Sequence, residues 1–240
     1  MQQKKVIIIG ASSGIGKEMA LLLAQQNNQV AITGRRKELL QEIKTLYPDH
    51  IVTAAFDVMG TDNTPQLQSL IQQLQGMDVF IYNAGYGHPT DDLNWETEHI
   101  TTATNVDGFV EMINYAFAYF VQQGYGQIAV TSSIAALRGN SKTPAYSASK
   151  AYMSRYAEGL NVKALQLKKD IVITDIRPGY IATKLARSEK LFWALSPQTA
   201  ARRIVKAIEQ KKRITYLSKR WWLIAQLIRI LPYFIYKRLA

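Results

Sequence analysis

The sequence predicts a single α/β domain in which a doubly wound, seven-stranded parallel sheet is flanked by helices, followed by an apolar and basic helical tail. Three observations lead there. Short runs rich in Val and Ile recur along the chain without the alternation of a half-exposed strand, as expected for a parallel sheet buried on both faces. The first of these runs passes directly into a glycine-rich turn and then a helical pattern. No internal repeat, low-complexity stretch or linker divides the 240 residues, a length that one core accommodates. The domain is assigned to residues 1–218 and the tail to 219–240.

Composition removes several kinds of chemistry. The chain has no cysteine, which excludes disulfides, thiolate metal sites and a cysteine nucleophile. Its three histidines, His50, His88 and His99, are not clustered, so no metal site is expected. The N-terminal apolar run Val6–Ile9 is too short for a signal-peptide core, and the protein is read as cytoplasmic. Charge is concentrated at one end. Residues 1–160 hold 11 Lys+Arg against 14 Asp+Glu, whereas residues 201–240 hold 11 against one. The aromatic and aliphatic residues among those C-terminal charges suit a membrane surface better than a nucleic acid.

Strand one, Val6–Ile9, leads into Gly10-Ala-Ser12-Ser13-Gly14-Ile15-Gly16. A helix follows over Lys17 to Gln26, with apolar spacing at Met19, Ala20, Leu22 and Leu23. In this context the glycines permit a tight turn and close backbone approach to a pyrophosphate at the positive end of the helix. The spacing of Gly10, Gly14 and Gly16 resembles that of the classical short-chain dehydrogenase/reductase family. The resemblance implies a Rossmann-like fold and a nicotinamide cofactor, with Ser12, Ser13 and Ile15 among the contacts of the turn.

Strand two, Val30–Thr33, ends in Gly34-Arg35-Arg36. An acid at this strand end would bond a ribose 2′-hydroxyl, whereas arginine accommodates a 2′-phosphate. No acid is present, so Arg35 and Arg36 predict NADP(H) in preference to NAD(H); two arginines opening a surface helix are the alternative. Strand three, Ile51–Phe56, precedes Asp57 and Val58, for which the resemblance implies contacts to the adenine. An amphipathic helix is predicted over Pro65–Leu74. Strand four, Val79–Tyr82, delivers Asn83-Ala84-Gly85, which matches the family's turn beside the cofactor ribose, the asparagine being mainly structural.

A helix from about Thr101 to Gln123 contains Asn105. The resemblance assigns Asn105 to a catalytic tetrad, distorting the helix and holding a proton-relaying water. Strand five, Gln127–Thr131, ends in Ser132-Ser133, and a helix from Ala145 to about Leu167 carries Tyr146 and Lys150. Residues four apart share a helix face, so the Lys150 ammonium is expected to lower the Tyr146 pKa and make it a proton donor and acceptor near neutrality. The family's serine lies thirteen residues before its tyrosine, which selects Ser133. Strand six, Ile171–Ile176, ends in Arg177-Pro178-Gly179. Pro178, Gly179, Ile181 and Thr183 match the family's segment beside the nicotinamide. A substrate lid is expected over about 184–196, with Leu185, Leu191, Phe192 and Trp193 to cover an apolar substrate. Ser196-Pro197 starts a helix reaching about Gln210, and Arg213–Leu217 is the last strand.

These readings combine into NADPH-dependent reduction of a carbonyl, or the reverse oxidation of a secondary alcohol, with Tyr146 as general acid/base. The alternative is a non-catalytic NADP(H)-binding regulatory or membrane-peripheral module. A homodimer or homotetramer is expected from the resemblance. The tail, Trp221 to Leu231 with Pro232 as a stop, is too short to span a bilayer. It is read as an interfacial anchor at the inner face of a membrane, or as a helix buried against protein.

Overall fold

In the computed structural model, which describes residues 1–182 and 193–238, seven parallel strands lie side by side. They are β1 (Lys5–Ile9), β2 (Gln29–Gly34), β3 (Ile51–Ala55), β4 (Val79–Tyr82), β5 (Tyr125–Thr131), β6 (Asp170–Arg177) and β7 (Ile214–Tyr216). Their spatial order is β3-β2-β1-β4-β5-β6-β7, with every neighbouring pair parallel. Chain progression reverses between β1 and β4. In such sheets a ligand crevice opens there, beyond the carboxyl ends of the strands.

The continuous apolar runs are explained by the layers on both sides. Successive side chains of a strand point to opposite faces, so Ile7, Ile9, Phe80, Tyr82, Ile128 and Val130 pack on one side. They meet α3 (Thr64–Leu74), α5 (Gly108–Gln123) and α6 (Pro144–Gln166). Val6, Ile8, Ile81 and Ala129 pack on the other. Their partners come from α1 (Gly14–Gln25), α2 (Lys37–Leu46) and α7 (Pro197–Glu209). The Ser196 hydroxyl accepts from the Thr199 amide, capping α7 as its sequence predicts.

The helix expected from Thr101 begins earlier. α4 (Trp95–Thr102) starts at Asn94, whose side chain accepts from the Thr97 amide at 3.0 Å, and Glu96 and Glu98 occupy its first turn. Its Thr, Glu and His residues hide it from an apolar-periodicity reading, although Asn94 is a recognisable cap. α4 continues through one π-turn, Ala103–Asp107, into α5. At the C-terminus α8 (Lys219–Ile230) and α9 (Tyr233–Tyr236) are separated at Leu231-Pro232. Proline has no amide hydrogen for the helical ladder and fits the first positions of a new helix.

Candidate active site

The glycine turn and the turn after β4 are built against each other. A Cβ on Gly10 would lie 2.6 Å from the Ala84 Cα, and one on Gly16 would lie 2.2 Å from the Gly10 carbonyl oxygen. Gly10 also has φ +84°, which a side chain disfavours. Asn83 locks this contact. Its amide nitrogen donates to the Gly10 carbonyl at 2.8 Å, its carbonyl accepts from the Thr131 hydroxyl at 3.2 Å, and its backbone N–H donates to Ile9 at 2.9 Å. One asparagine thus joins β1, β4 and β5, the structural role expected of it. α1 begins beside this cradle with no acidic residue in its first turn. Glycines that bring bare backbone to an uncapped helix N-terminus fit a pyrophosphate.

Arg36 forks onto the Ser12 and Ser13 hydroxyls at 2.8 Å each, and Arg35 pairs with Asp57 at 3.6 Å. A Cβ on Gly34 would lie 3.2 Å from the Ser12 side chain. The Arg36 guanidinium and two hydroxyls therefore meet at the end of β2, a donor set suited to a phosphate. Asp57 also accepts from the Met59 amide at 3.1 Å. Val58 is buried, with its carbonyl set against Gly108, where a Cβ would come within 2.3 Å.

β5 and α6 bring the candidate catalytic groups together. Ser133 follows the end of β5, its hydroxyl accepts from the Ala135 amide at 3.1 Å, and it is near enough to the Tyr146 phenol to favour its ionised form. The Lys150 Nζ lies 5.7 Å from the Tyr146 ring centroid and donates to the Thr131 carbonyl at 2.8 Å. Gly87 packs on the tyrosine ring and Gly85 on the Lys150 amine; a Cβ at Gly87 would lie 2.2 Å from the ring. The electrostatics correct the sequence expectation. Tyr146 is raised above its ordinary pKa because burial outweighs the opposing effect of Ser133. Lys150 is itself lowered to about 8 by burial, against the attraction of Asp175. In the protein alone the phenol thus keeps its proton near neutrality, and no acidification by Lys150 overcomes its desolvation.

Asn105 is fully buried within the π-turn. Its amide donates to the Tyr86 carbonyl at 2.7 Å and to the Ser149 hydroxyl at 2.9 Å, while its carbonyl accepts from the Tyr86 amide at 2.9 Å. Tyr82 donates to the Thr104 carbonyl at 2.7 Å. The expected helix distortion is present, and the side chain clamps the turn after β4 onto α6. Pro178 accepts from the Ile134 amide at 3.0 Å, and Tyr180 and Ala182 pair with Leu195. Gly179 and buried Ile181 therefore lie in a segment joined to the loop after Ser133. Thr183, Leu185, Leu191 and Phe192 lie outside the described residues.

Several supporting residues escaped the sequence reading. Buried Asp175 accepts from Ser132, from Ser154 at 2.7 Å and from Arg177 at 2.7 Å. Arg177 also donates to Ser154 at 2.7 Å and to Tyr216 at 3.1 Å. The signal was present: an acid inside an otherwise apolar strand needs a partner, and a residue two positions on shares its face. Glu98 accepts from the Ala145 amide at 3.0 Å, fixing the start of the helix that carries Tyr146. This is a long-range contact that no local pattern announces.

Comparison with known proteins agrees with this arrangement. The short chain dehydrogenase family profile matches residues 4–191. An uncharacterised oxidoreductase of Mycobacterium tuberculosis is 31% identical over 240 residues, covering 95% of this chain and 93% of that protein. Glucose 1-dehydrogenase of Gluconobacter oxydans is 30% identical over 231 residues, covering 90% and 85%. Among solved structures, a short chain dehydrogenase from Burkholderia cenocepacia in complex with NADP superposes with a TM-score of 0.85 at 20% identity. That alignment covers 99% of this chain and 98% of the other, and shows the shared fold. With the glycine cradle, the parallel sheet and the serine, tyrosine and lysine brought to one place, the chain belongs to the classical short-chain dehydrogenase/reductase family.

Proposed function

We propose that the protein is an NADP(H)-dependent oxidoreductase that reduces the carbonyl of an apolar substrate, or oxidises the corresponding secondary alcohol, with Tyr146 as the proton-transferring group. The observation that carries this reading is the Lys150 amine 5.7 Å from the Tyr146 ring centroid, in a helix that opens beside the end of β5 bearing Ser133. Gly10, Gly14 and Gly16 would hold the pyrophosphate, and Arg35, Arg36 and Ser12 the 2′-phosphate; the absence of an acid at the end of β2 supports this preference. Asp57 and Val58 would meet the adenine, Asn83-Ala84-Gly85 the ribose, and Pro178, Gly179, Ile181 and Thr183 the nicotinamide end. When bound, the nicotinamide supplies or accepts the hydride.

The chain's own residues handle the oxygen and its proton. Ser133 donates to the substrate oxygen and orients it toward Tyr146, whose raised pKa keeps the phenol protonated and ready to donate near neutrality. After donation the phenolate stands beside the Lys150 ammonium, which stabilises that charge most in a buried setting. Asn105 holds the π-turn and α6 in register and lies on the path by which the tyrosine is reprotonated. The same reading includes a homodimer or homotetramer; exposed Tyr152, Val162 and Leu165 along α6 offer apolar contact surface.

The test is NADPH oxidation against a panel of apolar ketones and aldehydes, with Tyr146→Phe as control. Turnover by the parent chain and a loss of roughly 10²-fold or more in the variant are expected. Undiminished activity in Tyr146→Phe would remove the assigned proton donor.

A further inference from the structure

Helix α8 has two apolar sides that face opposite ways. On one, Trp221 and Ala225 are buried, and the Trp221 ring covers Gly179 and meets the Tyr180 ring edge-on at 5.3 Å. On the other, Trp222, Leu223, Leu227 and Ile230 are exposed, Ile230 at 78%. At about 100° per residue this outer stripe spans about 140°, with half-buried Gln226 inside it, and Arg220 and Arg229 fall about 20° beyond its two edges. Lys219 stands at its N-terminal end. Beyond Pro232, α9 adds Tyr233, exposed at 72%, and Phe234, followed by Lys237 and Arg238. Residues 210–240 contain eight Lys+Arg and no Asp or Glu.

The element is tied to the loop after β5. The Arg138 guanidinium donates to the Leu231 carbonyl at 2.9 Å and lies 4.4 Å from the Tyr236 ring centroid, while the Tyr236 hydroxyl donates to the Gly139 carbonyl at 2.6 Å. Docking through it therefore requires little new ordering. The pattern discriminates among occupants. A second copy would bring two cation-edged stripes together with no local acid to pair them. A nucleic acid would engage the cations and leave the apolar stripe in water. An anionic lipid surface takes both, with aromatic and aliphatic side chains at the acyl boundary and the bases among headgroups. Twelve helical residues reach about 18 Å, so the helix lies in the interface plane. Among the described residues no helix is long and apolar enough to cross a membrane.

We propose that the outer face of α8, continued by α9, docks this protein on an anionic phospholipid bilayer at the cytoplasmic side of a membrane. The experiment is sedimentation of the full chain with vesicles of phosphatidylglycerol and phosphatidylcholine, and with vesicles of phosphatidylcholine alone. Binding to the mixed vesicles is expected, weakened as salt rises from about 50 to about 200 mM, with little binding to the neutral ones. Leu223→Glu with Ile230→Glu should lower vesicle affinity by about tenfold or more without shifting the melting temperature, because both side chains are exposed. Lys219→Gln with Arg229→Gln should weaken the salt dependence. No binding to either vesicle overturns the proposal, as does binding that the glutamate pair leaves unchanged. Self-association broken by that pair, or duplex DNA binding, overturns it if vesicles are not bound. These readouts need no turnover, so they stand or fall separately from the catalytic reading.

Discussion

The guanidinium of Arg177 lies 2.7 Å from the carboxylate of Asp175, and both side chains are buried at the end of β6. The pair does more than neutralise itself. Asp175 also accepts from Ser132, the neighbour of Ser133, and its charge favours the ammonium of Lys150. Arg177→Met would leave a buried carboxylate without its cation, a change of about 3–5 kcal/mol in cases of this kind. A drop of that size in urea-unfolding free energy is expected. Asp175→Asn removes the attraction that holds up the Lys150 pKa, so that pKa should fall further. A 15N-lysine NMR titration of Asp175→Asn that leaves it unmoved would show the coupling to be absent.

Lys150 predicts a pH dependence of stability. Its folded pKa is lowered from 10.5 to about 8 by burial. Between these values the unfolded chain binds more protons than the folded one, so this group makes stability rise with pH across about 8 to 10.5. Below about 8 the amine is charged in both states, and folding bears its desolvation. Chemical denaturation of the parent chain and Lys150→Met across that window checks the sign: the difference in stability between them should change in favour of the parent as pH rises.

The arginines at the end of β2 predict cofactor choice. Arg35→Ala with Arg36→Ala should lower kcat/KM for NADPH by about 10²-fold or more, since each charge-assisted contact is worth about 1.5–3 kcal/mol. The value for NADH should change by much less. Steady-state kinetics with both cofactors measures the ratio, and equal losses for the two would mean that the pair supports the glycine turn through Ser12 and Ser13 instead.

Gly179 couples the tail to the site. A Cβ there would lie 2.3 Å from the Trp221 ring, so Gly179→Ala must displace the indole or the loop. A shift in tryptophan emission and a loss of about 1–3 kcal/mol from overpacking are expected, with restoration by Gly179→Ala combined with Trp221→Leu. Failure of the double variant to recover stability would place the strain in the backbone of Pro178-Gly179 rather than against α8.

Much of the fold was legible because it rests on local patterns. Val6–Ile9 and Ile171–Ile173 are apolar on consecutive residues, as a strand covered on both faces requires, and Gly10, Gly14 and Gly16 announce a backbone packed against backbone. Pro232 and Ser196-Pro197 marked helix ends through the chemistry of the amide alone. The spacing of Tyr146 and Lys150 likewise placed both on one helical face, and the family resemblance set Ser133 beside them.

Spacing along the chain was thus enough for the order of strands and helices and for the glycine cradle, whereas Ser133, Tyr146 and Lys150 were singled out by their resemblance to the family's motifs. The tertiary structure decided the rest. It raised Tyr146 and lowered Lys150, because desolvation depends on everything packed around a group. It paired Asp175 with Arg177 and Ser132, and set Glu98 on the helix of Tyr146 across 47 positions of sequence. It also turned one side of α8 onto Gly179 and the other outward. Both sides of that helix are apolar in the sequence, and only the position of its neighbours distinguishes them.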